Sequence, residues 1–255
     1  MIPPDIAQLL HTEARRLNSP AFIDADPVQF PRRFTDQRDI ETAALLCATI
    51  AWGNRTMICR NCERMLGLLE WQPYHYIMDE AYETLPDGNV HRTFFRANLR
   101  HYLRGLHRVF ERYGSVEGLS AARGIASEAA PAWALARELN TELAAANDGC
   151  ADSRCLPQNL DNTALKRLNM ALRWLVRRDG IVDMGIWTAL DPSQLYIPLD
   201  VHVGNTARDL GLLARRSNDR RATEQLTAAL RTLRPDDPTI FDFALFGLGI
   251  EAKKA

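Results

Sequence analysis

Apolar residues recur with a helical period along nearly the whole chain. Spacings of i, i+3, i+4 and i+7 are typical of helices with one buried face, and the clearest stripe is Leu99, Tyr102, Leu103, Leu106, Phe110 and Tyr113. Further helices are predicted at residues 6–17, 57–69, 131–143, 165–178, 200–210, 222–233 and 238–248. No segment shows the strict alternation of a strand. The pattern therefore predicts an all-α fold, a bundle of helices.

One predicted helix differs from the others because it has no polar face. Residues 39–52 are nearly all apolar after the first turn, which indicates a helix buried on every side. Gly53 and Asn54 follow it as a natural stop. We expect this helix to lie at the centre of the core.

The length of 255 residues allows one large domain or two small lobes. A polar stretch at 147–162, which contains Gly149 and Pro157, is the best boundary. We expect one interdependent unit, residues 1–255, with approximate lobes of 20–150 and of 1–19 plus 160–255. The site is then expected in the cleft between these lobes.

Composition excludes several classes of protein. Apolar residues make up 46% and charged residues 25%, as in ordinary globular proteins. A formal charge of -1 gives no long-range attraction to a polyanion, so binding of nucleic acid would need a local basic face. The chain lacks an export signal and an apolar run of about 20 residues. We expect a cytoplasmic monomer without membrane contact.

The five cysteines are Cys47, Cys59, Cys62, Cys150 and Cys155. Their odd number and irregular spacing do not indicate a disulfide framework. The last four could supply thiolate ligands to a metal ion. Buried cysteine is nevertheless common as a small apolar residue, and we expect neither a metal nor a cofactor.

Lys166 is conspicuous because every other basic side chain before Lys253 and Lys254 is arginine or histidine. Arginine stays protonated, whereas lysine can act as an amine nucleophile. The simple alternative is a solvated lysine on the polar side of an amphipathic helix. The residue type makes Lys166 a candidate nucleophile.

Asp200 stands at a predicted helix start, where an aspartate usually caps the backbone. A Pro-bearing loop, Ile197-Pro-Leu, precedes it, and His202, Asn205 and Arg208 follow on one side of the helix. This loop delivers a carboxylate to a helix start beside other polar side chains. Asp200 is therefore a second catalytic candidate.

The segment Ile-Pro-Leu-Asp-Val-His-Val at 197–203 resembles the signature of the helix-hairpin-helix DNA glycosylases, in which a Pro and an apolar residue precede the catalytic Asp. Residues 222–249 are similar to the closing helices of that superfamily, and 40–54 to its buried helix that ends at the base pocket. Lys166 and Asp200 are 34 positions apart, a spacing similar to that of the archaeal 8-oxoguanine DNA glycosylase branch.

Taken whole, the chain resembles a bacterial family marked by Trp-Gly-Asn, Lys-Arg-Leu-Asn-Met and Pro-Leu-Asp-Val-His-Val, found here at 52–54, 166–170 and 198–203. It departs from the glycosylases in two respects. The Leu-Pro-Gly-x-Gly hairpin and the four-cysteine iron–sulfur tail are both missing. The usual grip on the DNA backbone is therefore not implied.

The resemblance implies a base-excision DNA glycosylase with abasic-site lyase activity on an oxidised or modified purine. The substrate is duplex DNA with a damaged base, flipped into a pocket. Lys166 attacks C1′ of the sugar and forms a Schiff base, while Asp200 accepts a proton or stabilises positive charge. Trp52, Asn54 and Trp187 are the candidate base-pocket residues, with core packing as the alternative for Trp52.

Candidate nucleic-acid contacts are Arg55, Arg167, Arg173, Arg177, His202 and Arg208. A second basic run, which could equally be a solvated face, comprises Arg92, Arg96, Arg100, Arg104, His107, Arg108 and Arg112. Two alternatives to a glycosylase stay open at this point. One is a non-catalytic helical module that binds nucleic acid or protein. The other is a base-directed enzyme that acts on RNA or on nucleosides.

Overall fold

The computed structural model describes residues 2–251, and the lysine pair at 253 and 254 lies outside them. The helices are α1 Pro4–Leu17, α2 Pro20–Ile23, α3 Gln37–Thr49, α4 Arg55–Leu68, α5 Pro73–Met78, α6 Arg96–Tyr113, α7 Val116–Ala122, α8 Pro131–Ala145, α9 Lys166–Val176, α10 Val201–Asp209, α11 Arg220–Arg231 and α12 Phe241–Glu251. Short 3-10 helices lie at Pro27–Gln29, Pro31–Arg33, Ala81–Thr84, Ile125–Ser127, Pro192–Gln194 and Pro238–Ile240. With 61% of the residues in helices, the prediction of a mostly helical protein is confirmed.

Two short strands, β1 Asn89–His91 and β2 Phe94–Phe95, were not expected from the sequence. They pair antiparallel and form a small hairpin that leads directly into α6. Strands of three and two residues are too short to show a period of two, so the expectation of no strands was wrong here.

Helix α3 is the buried centre of the fold, as its apolar sequence predicted. Residues 40–49 are all buried. The helix packs against α9, whose buried face includes Leu168, Leu172 and Leu175. It ends earlier than expected, at Thr49, so that Ala51 and Trp52 lie in the connection to α4. Because α3 ends early, the carbonyl oxygens of Ala51 and Trp52 are available to hydrogen-bond donors from other elements.

Helix α12 packs against both α1 and α10. A Cβ atom added to Gly249 would lie 2.7 Å from Thr206 Oγ1 and 3.2 Å from the His202 carbonyl oxygen. Glycine at this position therefore permits the close approach of α12 to α10. The close approach brings Asp242, in the first turn of α12, towards the helix that begins after Asp200.

No helix among residues 2–251 is long and apolar enough to cross a membrane. Within the same residues, no group of three or more His, Cys, Asp and Glu side chains is arranged to hold a metal ion. All five cysteines are free thiols: Cys47, Cys62 and Cys155 are buried, Cys59 is partly buried and Cys150 is exposed.

Candidate functional site

A cavity of about 650 Å³ contains both candidate catalytic residues, Lys166 and Asp200, in its lining. Its walls come from the α3–α4 connection, from α9, from the loop before α10 and from α12. We call it the main cavity. A second cavity of about 700 Å³ adjoins it and shares Lys166, Arg167, Leu199 and Asn218 with it.

Lys166 is the first residue of α9, and its side chain is held by the α3–α4 connection. Its Nζ atom donates a hydrogen bond to the carbonyl oxygen of Ala51 at 3.1 Å. The preceding residue, Leu165, is buried and has a left-handed backbone with φ of 49°. That conformation is strained for a residue with a branched side chain, and such strain is commonly found next to functional groups. The backbone therefore turns sharply just before the amine that lines the cavity.

Asp200 caps α10 and also faces the main cavity. Its Oδ1 atom accepts backbone N–H groups of His202 at 2.9 Å and Val203 at 3.0 Å. Its Oδ2 atom has no hydrogen-bond partner within residues 2–251, and no ion pair joins Asp200 to Lys166 there. One carboxylate oxygen thus holds the helix start while the other is available to a ligand.

Asp242 also lines the main cavity and was not among the residues singled out from the sequence. It is buried and forms an ion pair with Arg173. Burial raises the pKa of its carboxyl group from 3.8 to about 6, with the negative charge of Asp200 adding to the shift and the charges of Arg173 and Lys166 opposing it. The sequence signal was a single charge inside Phe-Asp-Phe-Ala-Leu-Phe at 241–246, because a buried charge requires a partner.

Trp52 lies in the wall of the main cavity and is fixed from two sides. The ring of His91, from β1, meets it edge-on at 4.7 Å between centroids, and the guanidinium of Arg167 lies 5.5 Å from its centroid. His91 Nε2 contacts the Trp52 carbonyl oxygen at 2.9 Å and Nδ1 contacts the Asn61 amide nitrogen at 2.9 Å. Because a carbonyl only accepts, Nε2 carries the proton. Burial lowers the pKa of His91, which favours this neutral form.

Two of the three candidate base-pocket residues are placed elsewhere. Trp187 is fully buried, and its indole N–H donates to Glu41 Oε1 at 2.8 Å. Its ring therefore belongs to the core, since a buried indole needs its donor satisfied. Asn54 is exposed and caps α4 by accepting the Met57 backbone N–H at 3.1 Å. Neither residue lines the main cavity.

The candidate nucleic-acid contacts divide into two groups. Arg55, Arg167 and His202 line the main cavity, although Arg55 is paired with Asp26 at 2.7 Å. Arg208 does not line this cavity and bonds the carbonyl oxygen of Arg215, in the loop between α10 and α11, at 2.8 Å. Of these four residues, Arg55, Arg167 and His202 are placed where a ligand in the cavity could reach them.

Arg173 and Arg177 correct the prediction most clearly, because both are buried. Arg173 pairs with Asp183 and Asp242, and Arg177 with Asp179, Asp183 and Asp237. A buried guanidinium is retained only when carboxylates compensate it. Through Asp237 and Asp242, these arginines therefore join the C-terminal half of α9 and the residue after it to the start of α12 and the residues before it. Neither guanidinium presents a surface to phosphate, although Arg173 borders the cavity wall.

The basic run on α6 is largely neutralised by neighbouring acids. Arg104 pairs with Glu83, Arg108 lies 2.8 Å from Glu142, and Arg112 lies 3.9 Å from Glu142. This arrangement favours the interpretation of a solvated, ion-paired face over a phosphate-binding one.

Fold and site together define a mostly helical protein with one lysine, an arginine-rich wall and three aspartates, Asp26, Asp200 and Asp242, around one cavity. The family model described as "Protein of unknown function (DUF2400)" matches residues 26–251. The chain belongs to the DUF2400 family. Comparison with curated proteins found no match, and neither did comparison with solved structures.

Proposed function

We propose that the chain is a base-excision DNA glycosylase with abasic-site lyase activity on an oxidised or modified purine in duplex DNA. In this proposal the fold is of the helix-hairpin-helix glycosylase type. The main cavity then forms the cleft between the lobes 20–150 and 1–19 plus 160–255. The observation that carries the proposal is that Lys166 and Asp200 line the same cavity.

The volume of about 650 Å³ lies in the usual range for small-molecule sites and suits one nucleotide that has left the helix stack. Trp52 offers an aromatic ring in the wall, with the guanidinium of Arg167 5.5 Å from its centroid. A flipped base is commonly held by such stacking and by hydrogen bonds at its edge. The cavity therefore has both the size and the kind of wall that the proposed substrate needs.

The proposed reaction begins with attack of the neutral Lys166 amine on C1′ of the sugar. A bond forms between Nζ and C1′, and the bond from C1′ to the base nitrogen breaks with its electron pair leaving on the base. The amine loses one proton to Asp200, and Asp200 passes that proton to the departing base. The lone pair of the nitrogen then breaks the bond from C1′ to the ring oxygen, which takes a proton from water, and this ring opening gives a Schiff base. Loss of a C2′ proton to water finally expels the 3′ phosphate by β-elimination.

The hydrogen bond to Ala51 is compatible with this role. A neutral amine can donate one N–H to the carbonyl oxygen at 3.1 Å and keep its lone pair for C1′. Asp200 can accept the proton at Oδ2 while Oδ1 continues to cap α10. Lys166 thus keeps a lone pair for the reaction, and Asp200 keeps one carboxylate oxygen for it.

Borohydride trapping tests the proposal, with duplexes that carry a panel of oxidised or alkylated purines or an abasic site. Reduction of the Schiff base would leave a covalent protein–DNA adduct. We expect an adduct with wild type, none with Lys166→Gln, and a strongly reduced yield with Asp200→Asn.

Lys166→Arg is the matched control because arginine can keep the positive charge and a bond to the Ala51 carbonyl but forms no such imine. An adduct that persists in both Lys166 variants would overturn the assignment of the nucleophile. The absence of any adduct on every duplex, with all variants folded, would favour the RNA-directed or the non-catalytic alternative.

A further inference from the structure

The hairpin of β1 and β2 carries an arginine in an unusual backbone conformation. Arg92 is the first of the two residues between the strands and has φ of 51°. Glycine or asparagine is preferred at such a position because a side chain makes it strained. The Asn89 side chain holds the turn by donating to the Arg92 carbonyl oxygen at 2.7 Å. The fold therefore maintains an arginine where a glycine would be easier.

The side chain of Arg92 lies against the edge of the main cavity. A Cβ atom added to Gly53, a residue of the cavity lining, would be only 2.7 Å from Arg92 Nη1. Gly53 itself has φ of 104°, which only glycine adopts readily. The sequence thus provides a glycine where the Arg92 guanidinium meets the cavity wall.

The charge of Arg92 is uncompensated in the described part of the chain. It is exposed and forms neither an ion pair nor a side-chain hydrogen bond within residues 2–251. Arg167, nearby in the wall, bonds only to main-chain carbonyl oxygens, which orient a cation without cancelling its charge. By contrast, Arg104 and Arg108 on α6 are paired with glutamates.

We propose that Arg92 binds a backbone phosphate of the nucleic-acid strand whose nucleotide occupies the main cavity. This inference rests on the proposed function. Arginine is well suited to a phosphate because its guanidinium can donate two parallel hydrogen bonds. The hairpin would supply a grip on the backbone that the missing Leu-Pro-Gly-x-Gly motif does not.

The hairpin also couples this grip to the wall of the cavity. His91, the neighbour of Arg92, is fully buried and holds Trp52 through its carbonyl oxygen and ring. A phosphate bound at Arg92 is therefore one residue away from the group that positions the aromatic wall. The strand backbone and the flipped nucleotide are held by a single element.

Binding is measured by fluorescence anisotropy with a short duplex that carries a central tetrahydrofuran abasic-site analogue. The variants are Arg92→Gln and Arg92→Gly, and the latter removes the cation while relieving the backbone strain. The control is Arg64→Gln, an exposed arginine of α4 without an ion pair in the described chain. Both Arg92 variants should weaken binding about fivefold. The slope of the logarithm of the binding constant against the logarithm of the salt concentration should fall by the amount that corresponds to about one phosphate contact. Arg64→Gln should do neither.

A second set of duplexes carries one neutral methylphosphonate at each phosphate near the analogue in turn. A methylphosphonate at the phosphate that Arg92 binds should lower the affinity of wild type. It should not lower the affinity of Arg92→Gly, which lacks the guanidinium that binds this phosphate. If Arg92 and Arg64 variants bind alike, or if no position shows this coupling, the phosphate contact is wrong. If the phosphate contact fails either test but borohydride trapping still depends on Lys166, the glycosylase proposal holds and only the role of Arg92 is wrong. If wild type binds a free nucleotide as tightly as the duplex, the bound phosphate is not part of a strand.

Discussion

The amine of Lys166 and the carbonyl oxygen of Ala51 are joined by a hydrogen bond of 3.1 Å, although the residues are 115 positions apart in the chain. The next side chain, Arg167, donates to the carbonyl oxygen of Thr49 at 2.8 Å. Thr49 is the last residue of α3, and the last carbonyl groups of a helix carry partial negative charge that attracts a cation such as Arg167. The packing of α9 against α3 thus determines where the proposed nucleophile lies.

Asp200 has two roles that mutation should separate. Replacement by alanine removes the cap of α10, which should lower the free energy of unfolding by about 1 kcal/mol. Replacement by asparagine keeps an oxygen for the N–H groups of His202 and Val203, so stability should change by only a few tenths of a kcal/mol. Both variants should lose most of the trapping yield, because neither has a carboxylate to accept the amine proton. Denaturant unfolding and borohydride trapping are measured on the same preparations.

Asp219 caps α11 through the backbone N–H of Ala222 and does not line the main cavity. Asp219→Ala therefore serves as the control, with a comparable loss of stability and an unchanged trapping yield. If Asp200→Asn retained full trapping, Asp200 would be a cap and nothing more.

The helices with long, regular apolar periods could be predicted from sequence, because the pattern of α3 or α6 reports burial directly. Lys166 could be singled out because its residue type is rare in this chain. The burial of Arg173 could not, since its partner Asp242 is 69 positions away and a local pattern does not reveal a distant partner. For the same reason Trp187 was misplaced: its hydrogen-bond acceptor, Glu41, lies 146 positions earlier.

Arg177 should be among the most costly residues to replace. Its guanidinium is 2% exposed and bonds Asp183 at 3.0 Å and Asp237 at 2.9 Å. Arg177→Met would remove the buried cation that pairs with Asp237 and leave Asp183 with Arg173 alone, which should cost about 3 to 5 kcal/mol in the free energy of unfolding. Arg216→Met, at an exposed position, should change it by less than about 0.5 kcal/mol. Equal unfolding midpoints for the two variants would contradict the structural role of the network.

Asp242 should make the stability of the protein depend on pH in a defined window. Its folded-state pKa, about 6, lies above the ordinary 3.8, so the folded state binds the proton more tightly. The resulting stability is fully present below pH 3.8 and is lost as pH rises through 6. The shift corresponds to roughly 3 kcal/mol. Asp242→Asn cannot ionise and should lack this dependence.

The measurement is the free energy of unfolding of wild type and Asp242→Asn at a series of pH values from about 4 to 7. The difference between them, wild type minus variant, should fall as pH rises across this range. Other titrating groups are shared by both proteins and largely cancel in the difference. The same comparison with Asp161→Asn, at an exposed position, should give a nearly constant difference. A difference for Asp242→Asn that stays level or grows with pH would show that the ion pair with Arg173 outweighs burial and keeps this carboxylate ionised beside Lys166.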